Sequence, residues 1–420
     1  MKRGYLSQYF KGVAVKRLSA VESSPIRSNQ HEFNGVESLR SILGEPSGKV
    51  RFDVKFLYLS DQDDAVIEDG FLTWYDARQK AREERGVRRR EYRLYFPTNL
   101  VSQCAAEGDL LVIARRSDNS PLLAIVAEKN TTIERQLMWL FGFPDLTHPG
   151  FSVRSELELE GGQGRIDFAA RVILKQLGIE PEDEAPDYLD AMLKKFRGSF
   201  PKTVEFSAYA RSTIRDLSSL DDPDAALVTW MEREETLFRT LEKHLLKEKL
   251  QGLIDDIRQD DSKDIEPFIK LMQSALQRRK SRAGSALENH LEQIFTDHGV
   301  TYTRAGVTES NLKPDFIFPG ISYYHDAAFP QAGLTMLASK STCKDRWRQI
   351  LNEAARIPSK HLLTLEPGIS ENQTEEMKTQ GVQLVLPSSL HPTYTKKQQK
   401  WLMDVASFIG LVKNRQPQKT

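Results

Sequence analysis

An aspartate and a lysine 25 residues apart are the residues whose types and spacing best suit bond-breaking chemistry. Asp315 opens a strand-like run, Pro314–Phe318, and Lys340 ends the next one, Leu334–Lys340. Two neighbouring strands would bring both side chains to one end of a sheet. A carboxylate there can hold a divalent cation, and an ammonium can orient water and stabilise charge at phosphorus, as phosphodiester hydrolysis requires.

Each member of this pair also has an ordinary explanation. Pro314-Asp315 is common turn chemistry at the start of a strand, and Lys340 would then be a solvated strand end. In nucleases of the PD-(D/E)xK kind, a second acidic ligand stands two residues before the lysine, but here Ala338 occupies that place. A second carboxylate must therefore come from elsewhere.

Glu353 is the candidate for that second carboxylate. A helix is predicted from Asp345 to Arg356, directly after Lys340, with its apolar face on the sheet and Glu353 beside Ile350 at the margin. From there, Glu353 would return a carboxylate to the metal. The alternative is an exposed helical glutamate that pairs with Arg356, three residues further on.

A charged triplet, Lys344-Asp345-Arg346, begins the same helix. Lysine and arginine can donate to guanine in the major groove and aspartate can accept from cytosine, so the triplet could read adjacent G·C pairs. Alternatively, the aspartate complements the helix dipole and the two cations are solvated.

A basic run at Arg278–Arg282 opens a further predicted helix, which contains Glu288. Arg282 could neutralise a phosphate, and Glu288 could be an additional metal ligand. A solvated helical face is the alternative.

The elements that must position these residues form a predicted mixed α/β layer, preceded by a long amphipathic helix at Ala225–Ile257. In chain order, we expect a helix near 286–297, strands at 301–305, 314–318 and 334–340, a helix at 345–356, strands at 361–365 and 382–386 with a short helix between them, and a terminal helix. The middle strands should be antiparallel, and the later helix should cross over to a further strand.

The first half of the chain is rich in short β-type segments, which predict a barrel or sandwich with one or two helices. The segments are Gly12–Leu18, Val50–Ser60, Glu91–Pro97, Asp109–Arg115 and Leu122–Glu128. Helical periodicity from Ile166 to Leu177 precedes an acidic segment with two prolines, Gly178–Tyr188. We therefore expect a first domain at 1–177, a linker at 178–198 and a second domain at 199–420.

Composition excludes several classes of protein. The 59 Lys and Arg residues balance 59 Asp and Glu residues, so any basic surface must be local. Cys104 and Cys343 are the only cysteines, which argues against a disulfide framework or a zinc site. The N-terminus lacks the apolar run of a signal peptide, and no apolar stretch reaches membrane-spanning length. We expect a globular, cytoplasmic protein without a membrane partner.

From about Phe200 onward, the sequence resembles the catalytic domain of the EcoRII-type restriction endonucleases. The matching segments, in the same order and with similar gaps, are RRKSRAGSALENHLEQIF, KPDFIFP, YYHDAAFP, LASKSTCKDRWRQILNEA and GVQLVLPSSLH. In that family a magnesium-dependent PD-(D/E)xK-type core cleaves duplex DNA at 5'-CCWGG as a dimer, and the acid replaced here by Ala338 is also absent. The resemblance implies metal-binding or catalytic roles for Asp315, Tyr324, Lys340, Lys344 and Glu353. It implies base reading by Lys344, Asp345 and Arg346.

Near the N-terminus, VAVKRLSAVESSPIRSNQHEFNG resembles the opening of that family's effector domain, a β-pseudobarrel that binds the major groove. The resemblance implies DNA contacts by Lys16, Arg17, His31 and the arm Arg88–Arg93, with Arg90, Glu91 and Arg93 as base readers. Read from its residues alone, the arm is a basic patch interleaved with Tyr92 and Tyr95, which suits phosphate contact. A solvated cationic loop is the alternative.

The expected function is therefore that of a two-domain, Mg²⁺-dependent, site-specific endonuclease acting as a homodimer on a palindrome in double-stranded DNA. The family's behaviour implies activation by a second DNA copy, with the N-terminal domain restraining the catalytic dimer until it binds. A methyltransferase that protects host DNA would be a functional, not a physical, partner. The alternatives are a DNA-binding protein that cleaves nothing and a structure-selective nuclease on the same core fold.

Overall fold

The computed structural model describes residues 4–416 apart from 24–30, 63, 87, 144–145, 147–148, 162–163, 182–187 and 260–264. Side chains are also outside the description at 248, 256–259 and 344–346. Contacts divide the chain into two compact units, Met1–Ile179 with Pro367–Gln373, and Glu180–Glu366 with Thr374–Thr420. The core of the predicted acidic linker, 182–187, lies outside the described residues.

An eight-stranded sheet with the order β2-β5-β4-β3-β7-β6-β1-β8 forms the first unit. Its strands are β1 (Phe10–Arg17), β2 (Glu32–Asn34), β3 (Val50–Leu59), β4 (Val66–Asp76), β5 (Tyr92–Tyr95), β6 (Leu110–Arg116), β7 (Leu122–Ala127) and β8 (Ser152–Ser155). Neighbours are antiparallel except β3 and β7, which are parallel. Each of the five predicted strand segments contains a strand, which confirms the β-rich first half.

Both faces of this sheet are apolar. Val13 and Val15 belong to one buried cluster, whereas Ala14 between them belongs to a second. This assignment follows from the alternation of side chains along a strand. The helices of the unit are α1 (Ala20–Ser23), α2 (Arg40–Leu43), α3 (Gln79–Arg85), α4 (Leu100–Cys104), α5 (Thr132–Leu140), α6 (Glu156–Leu159) and α7 (Phe168–Gln176).

A helical layer begins the second unit. It comprises α8 (Leu189–Phe196), α9 (Thr203–Ser212), α10 (Pro223–Gln259) and α11 (Glu266–Asp297). The predicted long amphipathic helix is confirmed as α10. Met192 and Phe196 of α8 pack with Phe206 and Leu237 in one buried cluster, so residues 189–196, predicted as linker, belong to this layer. The basic run at 278–282 lies in the middle of α11 rather than at a helix start.

A five-stranded sheet with the order β13-β12-β11-β10-β9 follows. Its strands are β9 (Thr303–Arg304), β10 (Phe316–Phe318), β11 (Thr335–Lys340), β12 (Lys360–Thr364) and β13 (Val382–Val385), and the remaining helices are α12 (Ile321–His325), α13 (Glu371–Thr379), α14 (Lys396–Gln399) and α15 (Val405–Arg415). The pairs β9–β10 and β10–β11 are antiparallel, while β11–β12 and β12–β13 are parallel. The predicted mixed α/β layer, including its crossover, is thus confirmed.

The connection from β11 to β12 differs from the prediction. It is a 3-10 helix at Lys344–Asn352 that ends four residues before Arg356, the predicted end of an α-helix. Ala354 has a positive φ of 47°, which an α-helix does not accommodate, and Pro358 disfavours helix at Ile357. Glu353 therefore lies after the helix, in extended backbone.

None of the described helices combines the length and the apolar character needed to cross a membrane.

Candidate active site

Asp315 and Lys340 meet at one end of the second sheet. Asp315 directly precedes β10, and Lys340 is the last residue of the antiparallel neighbour β11. Lys340 Nζ lies 3.1 Å from Asp315 Oδ2. The backbone N–H of Ser339 donates to the same oxygen at 2.7 Å, and the Ser339 hydroxyl lies 3.3 Å from it. Three donors therefore orient one oxygen of the carboxylate.

Glu353 belongs to the same site although it is not on a helix. Its Oε2 atom is buried and has no hydrogen-bond partner among the described residues. Burial raises the pKa of Glu353; the charge of Lys340 lowers this pKa and that of Asp315 raises it. Both other site residues are therefore within electrostatic reach of Glu353. The alternative, an exposed Glu353 paired with Arg356, is not found, because Arg356 donates instead to the carbonyl oxygens of Tyr324 and Phe329.

The donor set of this site fits Mg²⁺. Magnesium prefers carboxylate oxygens and is usually bound through one or two of them, together with water and substrate phosphate. Asp315 and Glu353 supply two carboxylates, and a buried oxygen without a partner is what an ion would satisfy. Within the described residues, no three His, Cys, Asp or Glu side chains are grouped for metal binding, so a larger protein cage is not found there.

Tyr324 lies beside the site in a hydrogen-bonded position. Its hydroxyl lies 2.6 Å from both carboxylate oxygens of Glu309 and accepts from the backbone N–H of Arg356 at 3.2 Å. Burial and the hydrogen bond to Glu309 raise the pKa of Tyr324 to about 12. The phenol is therefore a neutral donor at physiological pH that orients the turn following Glu353.

Glu288 and Arg282 both lie on α11. Their contacts differ from the predicted roles, which were a metal ligand for Glu288 and a phosphate contact for Arg282. Glu288 accepts hydrogen bonds from Arg304 Nε at 3.2 Å and Nη2 at 2.7 Å, so its carboxylate is engaged in an ion pair. Arg282 is 8% exposed and donates to the carbonyl of Pro201 at 2.8 Å. Its guanidinium faces the ring of Phe238 at 4.7 Å. Burial in the helical layer corrects the prediction that Arg282 contacts DNA.

The side chains of the predicted reading triplet, Lys344, Asp345 and Arg346, lie outside the description. Their backbone begins the 3-10 helix directly after Cys343. The backbone N–H of Cys343 donates to Glu366 at 3.2 Å, which anchors the chain just before the triplet.

In the first unit, the arm Arg88–Arg93 lines a groove of about 580 Å³ together with Asn34, Gly35 and Glu37. We call it the arginine groove. Arg90 donates to Tyr92 at 2.7 Å and pairs with Glu45. Hydrogen bonds from Arg93 and Arg78 lower the pKa of Glu91. The structure thus gathers Arg90, Glu91 and Arg93 at one concave, predominantly cationic surface.

The other predicted DNA contacts of this unit differ in exposure. Lys16 is 2% exposed and forms an ion pair with Glu22, which corrects its prediction as a DNA contact. Arg17 is half-buried and donates to the carbonyl of Gly108 at 3.1 Å. His31 is half-buried, with Nε2 3.4 Å from the Thr98 hydroxyl.

Sequence reasoning missed three polar residues that hold this site: Ser339, Glu309 and Lys360. Ser339 stands next to Lys340, and this adjacency was a usable signal. Glu309 and Lys360 form hydrogen bonds with Glu353 and the turn that follows it. They lie in separate parts of the chain, so no spacing pattern in the sequence predicts these contacts.

The match to a known family lies mainly in the second unit. Residues 238–409 match the family described as EcoRII C terminal. The type II restriction enzyme EcoRII of Escherichia coli is 44% identical over 212 residues, which are 50% of this chain and 50% of that protein. The chain thus matches half the length of this relative.

Two solved structures match part of this chain. Metal-depleted Ecl18kI in complex with uncleaved, modified DNA gives a TM-score of 0.45 at 19% identity, over 55% of this chain and 85% of that one. The complex of restriction endonuclease PspGI with substrate DNA gives a TM-score of 0.41 at 15% identity, over 51% and 93%.

The family match contains every element of the Asp315, Lys340 and Glu353 site. Residues 238–409 of this chain, which include that site, are therefore similar to the family described as EcoRII C terminal.

Proposed function

We propose that this chain is a type II restriction endonuclease that hydrolyses double-stranded DNA at a CCWGG-like palindrome with Mg²⁺. One observation carries the proposal: Asp315, Lys340 and Glu353 converge at a sheet end inside the segment that matches the EcoRII C-terminal family. The relative that matches half of this chain is a restriction enzyme, which supports the same activity.

The roles of the residues follow from their positions. Asp315 and Glu353 would hold the ion, whose charge would polarise the scissile phosphate and lower the pKa of water. Lys340, held by Asp315, presents a cation where negative charge develops at phosphorus. Ser339 fixes the Asp315 carboxylate so that its orientation precedes substrate binding.

DNA recognition is assigned to two surfaces. Lys344, Asp345 and Arg346, on the segment between Lys340 and Glu353, would read the G·C pairs of the target. The arginine groove of the first unit would bind a second DNA copy as effector, and its four arginines suit phosphate contact.

A palindromic target requires each half-site to meet the same surface, so the active form would be a homodimer in which each chain cuts one strand. A methyltransferase acting on the same DNA word would complete the restriction system without binding this chain.

Digestion of an unmethylated plasmid with several CCWGG sites tests the proposal. The wild type and Asp315→Ala are compared with Mg²⁺ and with EDTA, in the presence of additional short CCWGG duplex, and the ends are sequenced. Discrete Mg²⁺-dependent fragments that share one terminal word and disappear in Asp315→Ala are expected.

Sequence-specific binding without any cutting would instead identify a regulator that keeps the fold. Cutting of branched duplexes in preference to CCWGG would identify a structure-selective nuclease. Either result contradicts the restriction function.

A further inference from the structure

The turn that follows Glu353 is held by polar side chains from three directions. Ala354 is fully buried with a φ of 47°, a left-handed conformation that disfavours non-glycine residues. Ile357 donates to the Ala354 carbonyl at 2.8 Å and closes the turn. Such a conformation persists only where its surroundings impose it.

Lys360 is the cation on one side of this turn. It is the first residue of β12, is 5% exposed, and its ammonium donates to the carbonyl oxygens of Glu353 and, at 2.7 Å, Ala354. Its backbone N–H donates to Gly381 at 3.0 Å, so the stem of the lysine is fixed to the sheet. The ammonium thus ties Glu353 directly to β12.

Glu309 and Tyr324 hold the other side. Glu309 accepts from the backbone N–H of Ala355 at 3.3 Å, and Tyr324 accepts from that of Arg356. Successive peptide groups from Glu353 to Arg356 are therefore each bound by a side chain from another element. The side chain of Glu353 makes no comparable contact, because its Oε2 lacks a partner among the described residues.

We propose that Lys360 is a positioning residue that sets the Glu353 carboxylate for metal binding by clamping the peptide groups on either side of Ala354. This inference rests on the proposed function for its cleavage readout. Glu353 follows a 3-10 helix and precedes a left-handed residue, so no regular element fixes its backbone. The two hydrogen bonds from Lys360 therefore fix the backbone at Glu353, where the sequence predicts that a helix would do so.

An ammonium suits this task better than a neutral donor. It carries three N–H donors on a compact head, so it can bind two adjacent carbonyl oxygens at once. Residues that orient metal ligands typically change metal affinity by about 10- to 100-fold when they are removed. The same scale is expected here.

The test compares the wild type with Lys360→Met and Lys360→Gln in the full-length chain, with Lys378→Met on α13 as an exposed control. Two quantities are measured: the Mg²⁺ concentration at half-maximal cleavage, and the rise in melting temperature produced by Mg²⁺ alone. Both Lys360 variants should require at least about tenfold more Mg²⁺ in each measurement. Their DNA binding in EDTA and the behaviour of Lys378→Met should match the wild type.

Several results would overturn the inference. A Lys360 variant that folds and shows the wild-type Mg²⁺ requirement would show that Glu353 is set by other contacts. Loss of the fold in both variants would show that the domain, rather than Glu353, requires the lysine. If the wild type binds Mg²⁺ but cleaves nothing, the proposed function fails while the melting readout still decides the role of Lys360.

Discussion

Tyr324 lies beside the candidate active site and acts on it through neighbouring residues. Its buried hydroxyl is satisfied on both sides, as a donor to Glu309 and as an acceptor from Arg356. Its pKa, raised to about 12, leaves no ionisation near neutrality. The resemblance implies a catalytic role for Tyr324, whereas these contacts are those of a side chain that positions the turn after Glu353.

Tyr324→Phe is predicted to keep at least about a tenth of the cleavage rate while losing about 1 to 2 kcal/mol of stability, because Glu309 and Arg356 each lose a partner. Urea unfolding and single-turnover cleavage measure the two effects. The pH profile between about pH 6 and 9 should keep its shape. A profile that changes shape in the variant would restore a proton-transfer role to the phenol.

His361 on β12 predicts a dependence of stability on pH. Burial lowers its pKa from 6.5 to about 4, with a further lowering from the charge of Arg415. The unfolded chain therefore binds the proton at higher pH than the folded chain. The stabilising contribution is complete above pH 6.5 and is lost as pH falls toward 4.

Between pH 7 and 5 this linkage amounts to about 2 kcal/mol. Urea unfolding of the wild type and of His361→Leu at both pH values checks it, and the variant should lose correspondingly less stability on acidification. Equal losses in the two proteins would refute the assignment to His361.

At the scale of elements, the pattern of apolar residues was sufficient to predict the strands of the sheet in the second unit. The strands β10, β11 and β12 are buried throughout or nearly so, and the short apolar runs within them (FIF, MLA and LL) identify them. In the first unit β4 was missed, because Glu68-Asp69-Gly70 in its middle resembles a turn. Its half-exposed pattern comes from its place in the folded sheet, where it pairs with β3 and β5.

The candidate site, like the fold, could be predicted from the sequence only in part. Asp315 and Lys340 follow from strand order, whereas the support of Glu353 does not. The backbone of Glu353 depends on Lys360 and Glu309, which meet the turn only in the folded domain. Helical periodicity could not foresee a turn imposed by such distant partners.

Arg282 on α11 tests whether the basic run at 278–282 serves the helical layer or DNA. Because its guanidinium is buried against Phe238, Arg282→Met should leave DNA affinity in EDTA within about twofold of the wild type, as for any residue without a phosphate contact. Fluorescence anisotropy with a CCWGG duplex measures this affinity. Lys280→Met is the exposed control in the same run. A tenfold loss confined to Arg282→Met would return the residue to the DNA interface.

On the scale of the whole molecule, a chain with no net charge can present a cationic surface to a polyanion only by concentrating its cations locally. The arginine groove is such a concentration, with Arg88, Arg89, Arg90 and Arg93 around a concave surface. The carboxylates Glu37 and Glu91 also line it. Carboxylate acceptors lie here among arginine donors. For the proposed function, this mixture suits a surface that binds the duplex in one orientation rather than any polyanion.

Arg93→Ala in the full chain is predicted to weaken binding of a CCWGG duplex and to reduce the slope of log affinity against log salt concentration by about one. Salt titrations by anisotropy, with Asp315→Ala as the background to prevent cutting, measure this slope. Arg51→Ala, an exposed arginine outside the groove, should leave the slope unchanged. An unchanged slope in Arg93→Ala would remove this residue from the phosphate contacts.

One short, unbroken stretch of chain runs from Lys340 through the 3-10 helix to Glu353, and it includes the triplet proposed to read bases. Under the proposed function, target choice and strand scission are therefore not separate modules that could be exchanged independently. Any insertion or deletion that adapts the triplet to a new DNA word also moves Glu353 with respect to Asp315. Under the proposed function, grafting a new specificity onto this scaffold would require transfer of the whole stretch together with Lys360.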